Sequence, residues 1–380
     1  MRPRVLLPGP TELEDEVLEA LGRQVVPHYG DEWVATYNCV LDDLRQVFLT
    51  AHEMLLLVGT GTAGLEGALG SMVAPGERVV VVDNGHFGAR LVTMARALGL
   101  EVVTVAAPGG RAVAPEDVGA VLQAQRCEAV CVVHNETSTG VVNPLRELAQ
   151  VAHQHGAALV VDAVSSVGGV ELRVDEWQIE ACCGAVQKCL GAPPGLAPVA
   201  LLPNAIETMR RKRDIGHRGF YLQLLTWLDY ARDWADWHPF PVTMACSLVL
   251  ALQAALRPLL AEGMEARWSS LRDAARRLRQ ALRALGCGIL ADEAVASPVT
   301  TTVVLPQALD AVELLAWLRT ERRLWVAGGL GEQKGRSIRL GHFCRGASDD
   351  YLRLLLIALE DFFATHGVPV ERGAALAAFE

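Results

Sequence analysis

Between residues 54 and 161, short unbroken apolar runs alternate with longer segments whose apolar positions recur every three or four residues. The runs Met54–Val58, Arg78–Val82, Val102–Val105, Ala129–Val133 and Ala157–Val161 predict strands, and Ala63–Met72, Gly88–Leu98, Pro115–Gln125 and Leu145–His153 predict helices between them. Strands apolar on both faces need cover on both sides, which crossover helices give to a mostly parallel sheet. Upstream, the pattern predicts a short helix over Val17–Leu21, a polar loop from His28 to Trp33 and a helix over Val34–Val47. Downstream come strands at Ala181–Val186 and Pro198–Leu202, a basic cluster Arg210–Arg213 suited to a helix C-terminus, and an aromatic-rich segment Phe220–Trp237. Helices over Leu248–Leu260 and Ala266–Leu285 follow, the second long enough to connect two domains. From Val299 the order is strand, helix (Ala311–Arg319), strands (Leu324–Val326 and Ser337–Leu340) and helix (Tyr351–Phe363), with a loose tail after Val370. The expected architecture is α/β, with a large domain over 20–255 and a small α+β domain over 256–380 joined by 1–19.

Composition narrows the partners. The chain has 380 residues, 51% hydrophobic and 21% charged, with a net charge of -10 that argues against nucleic acid and an anionic membrane surface. No apolar run reaches membrane-spanning length, and the first residues lead straight into Pro8-Gly9-Pro10 rather than a signal peptide, so a cytoplasmic protein is expected. Nine cysteines without a Cys-x-x-Cys pair read as reduced small hydrophobes, and His153 and His155 have no ligand at metal-binding spacing, so no metal is expected.

Candidate chemistry gathers at the carboxyl ends of the predicted strands, where α/β sheets bind ligands. Lys188 sits between an apolar run and a loop stiffened by Pro193, Pro194, Gly191 and Gly195. With its tip in water it is ordinary; desolvated, it is an amine nucleophile. Gly59-Thr60-Gly61-Thr62 joins a strand to a helix start and suits a phosphate, yet lacks the lysine of a P-loop and the third glycine of a dinucleotide fingerprint. Asp162 ends a buried strand, where it pairs with an arginine or with a protonated ring nitrogen of a ligand. Lys188 and Asp162 together suggest pyridoxal phosphate. Arg339, inward on a strand, is paired internally or awaits a carboxylate, and Gly328-Gly329-Leu330-Gly331 predicts a flexible loop before it.

Taken in order, Pro8-Gly9-Pro10-Thr11, the Gly-Thr-Gly-Thr turn, Asn84 to Gly88, Glu136 to Gly140, Val161 to Ser166, Gln187-Lys188, Ala192 to Gly195 and Ile338 to Gly341 resemble the class V pyridoxal-phosphate aminotransferases. The nearest branch is the alanine-glyoxylate and serine-pyruvate (serine-glyoxylate) group, and the resemblance spans nearly the whole chain. It implies the type I pyridoxal-phosphate transferase fold, like aspartate aminotransferase. It also implies that Lys188 carries the cofactor and moves the proton, Asp162 contacts the pyridine nitrogen, Phe87 stacks on the ring and Thr137 donates to its phenolic oxygen. Gly61, Thr62 and Gln187 then hold the phosphate, with Thr243 reaching in from the neighbouring subunit of a homodimer, and Arg339 clamps the substrate carboxylate. An amino donor and a 2-oxo acid acceptor are the implied partners; with Arg339 the only clamp evident, alanine or serine to glyoxylate or pyruvate is the expected reaction.

Departures from the family mark where specificity is open. Phe87 stands where tryptophan is common, Phe240 where a tyrosine reaches the phosphate across the interface, and Pro27-His28-Tyr29-Gly30 where Gly-His-Arg-Ser is common. Pyridoxamine-pyruvate and 2-aminoethylphosphonate-pyruvate aminotransferases are the alternatives, although the first branch's extra arginine falls at Leu330. A cysteine desulfurase or lyase ranks lower, because Gln187 rather than histidine precedes the lysine; a catalytically silent regulator has no need of Arg339.

Overall fold

The computed structural model describes residues 3–213 and 219–380. The chain opens with β1 (Arg4–Val5) and the helices Asp15–Leu21 and Asp31–Phe48, then enters the alternation that builds the main sheet. Its strands are β2 (Glu53–Val58), β3 (Arg78–Asp83), β4 (Glu101–Ala106) and β5 (Ala129–Val133); after a small hairpin of β6 (Asn135–Glu136) and β7 (Val141–Val142) come β8 (Ala158–Asp162), β9 (Ala181–Cys183) and β10 (Leu196–Leu201). Sheet order is β2-β10-β9-β8-β5-β3-β4. Only β10 runs antiparallel to its neighbours β2 and β9, so the sheet is mostly parallel, as the apolar runs predict. Val79 to Val82 and Val130 to Val132 are fully enclosed, because the crossover helices cover both faces.

A second sheet contains β11 (Gly288–Ile289), β12 (Thr300–Val304), β14 (Ala327–Gly328) and β15 (Ser337–Gly341), in the order β11-β12-β15-β14; β13 (Leu324–Trp325) instead pairs with β1. Two large apolar clusters result. One runs from Val17 to Trp268, and the other joins Leu6 to residues between Ala274 and Phe379. The helix Met264–Ala284 gives Trp268 to the first and Leu278 and Leu282 to the second, which is how a connector holds two cores together. No single helix among the described residues is long and apolar enough to cross a membrane.

Several local expectations are corrected. The polar loop ends at Gly30, whose φ of 84° starts a helix at Asp31; Asp31 and Glu32 fill its first turn, where the helix dipole favours acids, and Trp33 is buried. The tail after Val370 is ordered as the helix Ala374–Phe379: Phe379 is fully enclosed, and Glu360 accepts from the amides of Gly373 (3.0 Å) and Ala375 (2.9 Å). The strand predicted to Val186 ends at Cys183. At Gly184 the chain passes so near Phe48 that an added Cβ would lie 3.0 Å from its ring.

Candidate active site

The carboxyl ends of β2, β3, β5 and β8 open toward one cavity of about 240 Å³, lined by residues of both sheets' surroundings. Pro8, Gly9, Thr60, Gly61, Thr62, Phe87, Arg90, Thr137, Val164, Gln187, Lys188, Ala327 and Arg339 form its wall. The sequence-predicted residues Gly61, Thr62, Phe87, Thr137, Gln187, Lys188 and Arg339 therefore converge, and Asp162 lies directly beneath, buried at the end of β8. Thr243 does not join them; it is exposed elsewhere on the surface. A larger cavity of about 530 Å³ lies behind the lysine loop, among Glu12, Glu14, Cys189 and Cys344, and includes neither Lys188 nor Asp162.

Lys188 is held by a tight turn. Gly191 N donates to Lys188 O (2.9 Å), Ala192 N to Val186 O (2.9 Å), and Gly191 takes a φ of 70° that glycine accepts without strain. Its stem packs on the N-terminal segment, where a Cβ on Gly9 would lie 2.7 Å from Lys188 Cγ. The amine donates to Ser165 Oγ (2.6 Å) and lies 5.4 Å from the centre of the Phe87 ring. Desolvation lowers its pKa to about 8, with Asp162 opposing and Arg90 and Arg339 assisting. Such an amine has a far larger neutral fraction near physiological pH than an ordinary lysine, which favours a nucleophile or a general base.

Burial raises the Asp162 carboxyl above its ordinary range, against the pull of the Val164 amide (2.9 Å to Oδ1) and of Lys188 and Arg90. A protonated ring nitrogen placed beside it would offset that desolvation. At the opposite end, the helix Gly61–Met72 begins with no side chain capping it, leaving the amides of Gly61 and Thr62 at the cavity wall. A Cβ on Gly61 would lie 2.3 Å from Val164 Cγ2, so the helix start and the Asp162 loop pack as one unit. Gln187 Oε1 is buried without a partner. A phosphorylated pyridine aldehyde suits these groups, with the amine and buried acid at one end and the open helix terminus at the other.

Arg339 donates from Nε to Gly328 O (2.8 Å) and from Nη1 to Thr137 O (3.4 Å), which fixes its plane against the cavity. The Gly328 segment is not the loose loop expected, because β14 pairs with β15 and Gly329 N donates to Ser337 O (2.9 Å). Phe240 is fully enclosed within its own chain against Tyr37 (5.0 Å) and His238 (4.4 Å).

Three contributors escape a reading by motif alone. Ser165 meets the lysine amine; Arg90 stands over the Phe87 ring at 4.7 Å as a third cation at the cavity, beside Lys188 and Arg339; and Glu136, fully buried, accepts from the amides of Phe87 and Gly88 (both 3.0 Å) and Ser138 (3.0 Å). Burial raises the Glu136 carboxyl, and these donors oppose the rise while pinning the helix that presents Phe87. A buried Glu in Glu136-Thr137-Ser138 was the available signal, but nothing local shows that its target is a helix start 48 residues earlier.

Residues 9–333 match the family described as aminotransferase class-V. An uncharacterised aminotransferase of Methanocaldococcus jannaschii is 33% identical over 89% of this chain and 87% of its own. The crystal structure of an alanine-glyoxylate aminotransferase from Nostoc sp. superposes with a TM-score of 0.91 at 30% identity, covering 95% of each chain. That of pyridoxamine-pyruvate aminotransferase from Mesorhizobium loti gives 0.93 at 29% identity, covering 100% of this chain and 96% of that one.

Proposed function

The chain belongs to the class V aminotransferases and is a pyridoxal-phosphate-dependent transaminase, and from that premise we propose that it moves the amino group of alanine or serine to glyoxylate or pyruvate. The observation that carries the reading is the desolvated Lys188 amine in one cavity with Arg339, above buried Asp162. When bound, the cofactor supplies an electron sink for charge developing at the donor's α-carbon. Lys188 would anchor it through the amine, and its Nζ would hold and move the α-proton. Asp162 would keep a proton on the ring nitrogen, Phe87 would offer its face to the ring, and Thr137 would direct its hydroxyl to the phenolic oxygen. Gly61, Thr62 and Gln187 hold the phosphate. Arg339 fixes the substrate carboxylate with the guanidinium edge that Gly328 and Thr137 leave open.

Small uncharged donors are favoured by a cavity of only about 240 Å³. The M. loti similarity supports a second donor class, pyridoxamine with pyruvate, against which Leu330 stands. The chain divides functionally into a cofactor-holding unit over 20–255 and a unit of 256–380 with 1–19 that brings Arg339, a division supported by the two apolar clusters. It works as a homodimer in the cytoplasm. Exposed Tyr29, Phe220, Trp234 and Trp237 support the first statement, and nine unpaired cysteines the second. Phe240 is enclosed in its own chain, and Thr243, to which the family resemblance gives the cross-subunit phosphate contact, is exposed and free to make it.

The test follows the absorbance of the bound cofactor against a panel of amines. Alanine or serine converts it to the pyridoxamine form and glyoxylate or pyruvate restores it. Full turnover by Lys188→Ala would sink the mechanism, and a response to pyridoxamine alone would move the donor to the second class. Sedimentation at micromolar concentration checks the dimer.

A further inference from the structure

Lys188 Nζ donates to Ser165 Oγ at 2.6 Å, and Ser165 Oγ lies 3.2 Å from Thr137 Oγ1. Both hydroxyls are buried, Ser165 at 6% and Thr137 at 1% exposure. The serine is itself braced: its carbonyl accepts from Asn135 Nδ2 (3.1 Å) and Cys189 Sγ (3.7 Å). An alanine would satisfy every one of those backbone contacts. Among the described residues the hydroxyl meets only the lysine and the threonine.

We propose that Ser165 is a positioning residue for the Lys188 amine, forming with Thr137 a chain of two hydroxyls whose direction reverses with the lysine's protonation. When Nζ is an ammonium it donates to Ser165 Oγ, and Ser165 donates on to Thr137. When Nζ is a neutral amine its lone pair accepts from Ser165, and Thr137 donates back to the serine. A hydroxyl donates and accepts at once, so both forms of the lysine are satisfied without moving a heavy atom. With the cofactor bound, the Thr137 proton would turn to the phenolic oxygen, and Ser165 alone would hold the amine.

The proposal rests on Lys188 as the reactive amine, but its deciding measurement, the pH midpoint of cofactor coupling, needs neither amino donor nor acceptor. The bond to an ammonium is charge-assisted and roughly twice as strong as the bond to a neutral amine, so losing the hydroxyl penalises the charged form more. The titratable and charged groups that act on Lys188, namely Asp162, Cys189, Arg90 and Arg339, are unchanged by the substitution.

Full-length protein freed of cofactor is mixed with pyridoxal phosphate across a pH series. The coupled lysine is trapped with borohydride and the Lys188 peptide quantified by mass. The wild-type rate has its midpoint near 8. In Ser165→Ala the midpoint falls by roughly one pH unit, and in Ser165→Thr it stays with the wild type. In the loaded enzyme, kcat of Ser165→Ala falls roughly tenfold with KM unchanged. Should Ser165→Ala not fold by circular dichroism, Ser165→Cys, of similar size with a weaker donor, takes its place and shows a smaller fall. An unmoved midpoint in the alanine variant overturns the proposal, as does an equal displacement in alanine and threonine variants, which marks packing rather than the hydroxyl. A shifted midpoint in a protein that no amino acid turns over leaves the chain of hydroxyls standing and refutes the substrate reading.

Discussion

Two partly buried lysines lie at opposite ends of the main sheet, and their surroundings make them different reagents. Lys212, below the amino ends of the strands, is matched by Glu77 (2.6 Å) and Glu128 (3.0 Å). Burial works to raise the Glu128 carboxyl, but its hydrogen bond and attraction to Lys212, with Arg126 helping, hold it below the ordinary range. Nearby His153 and Glu180 close the same surface at 3.0 Å. Lys188, at the carboxyl ends, meets a hydroxyl instead of a carboxylate at contact distance, and its amine is desolvated without full compensation. A paired charge is structural; an under-compensated one is reactive.

Replacing each lysine tests the contrast most strongly. Lys188→Ala lowers kcat on the order of a thousand-fold in a transamination assay, whereas Lys212→Met leaves kcat within twofold. Equal losses would erase the distinction.

Stability separates the two ends in the opposite sense. The Lys188 pKa is near 8 in the folded chain against 10.5 ordinarily, so the unfolded chain binds more protons between those values and stability rises with pH across that window. Below pH 8 the cost is fully present. Cofactor-free Lys188→Met is therefore more stable than wild type at pH 7 by about 3 kcal/mol in urea titrations, and the advantage fades as pH rises toward 10.5. Lys212→Met, by contrast, loses about 2 kcal/mol at pH 7, because Glu77 and Glu128 are left facing each other. A Lys188→Met protein less stable than wild type at pH 7 would break the comparison.

The smallest effect sits at His153. Its hydrogen bond to Glu180 raises the histidine's pKa, burial opposing, so the pair's stabilisation is fully present below the ordinary histidine value of 6.5 and is lost as pH rises through the raised one. With the side chain 28% exposed and solvent screening the pair, His153→Gln costs under about 1 kcal/mol at pH 6 and nothing measurable at pH 9. A loss independent of pH would reassign it to packing.

Legibility in the sequence tracked locality. Strands such as Val79 to Val82 carry their double burial in their own composition, and the order of motifs carries the family, so the fold class was readable and Lys188, Asp162 and Arg339 stood out as candidates that the structure brings together. Asp31 to Trp33 and Ala374 to Phe379 were misread because their helices depend on partners: the positive φ of Gly30 in one case, and Glu360 with the neighbouring helices in the other.

The sequence by itself determined the residue types, their order and the alternation that makes a parallel sheet, because apolar periodicity and turn chemistry act over a few residues. Only the tertiary structure decided which lysine is left uncompensated, that Ser165 rather than a carboxylate meets it, that Glu136 caps a helix 48 residues away, and that Phe240 turns inward. Those outcomes depend on desolvation and on contacts between distant segments, and both exist only once the chain has closed around the cavity.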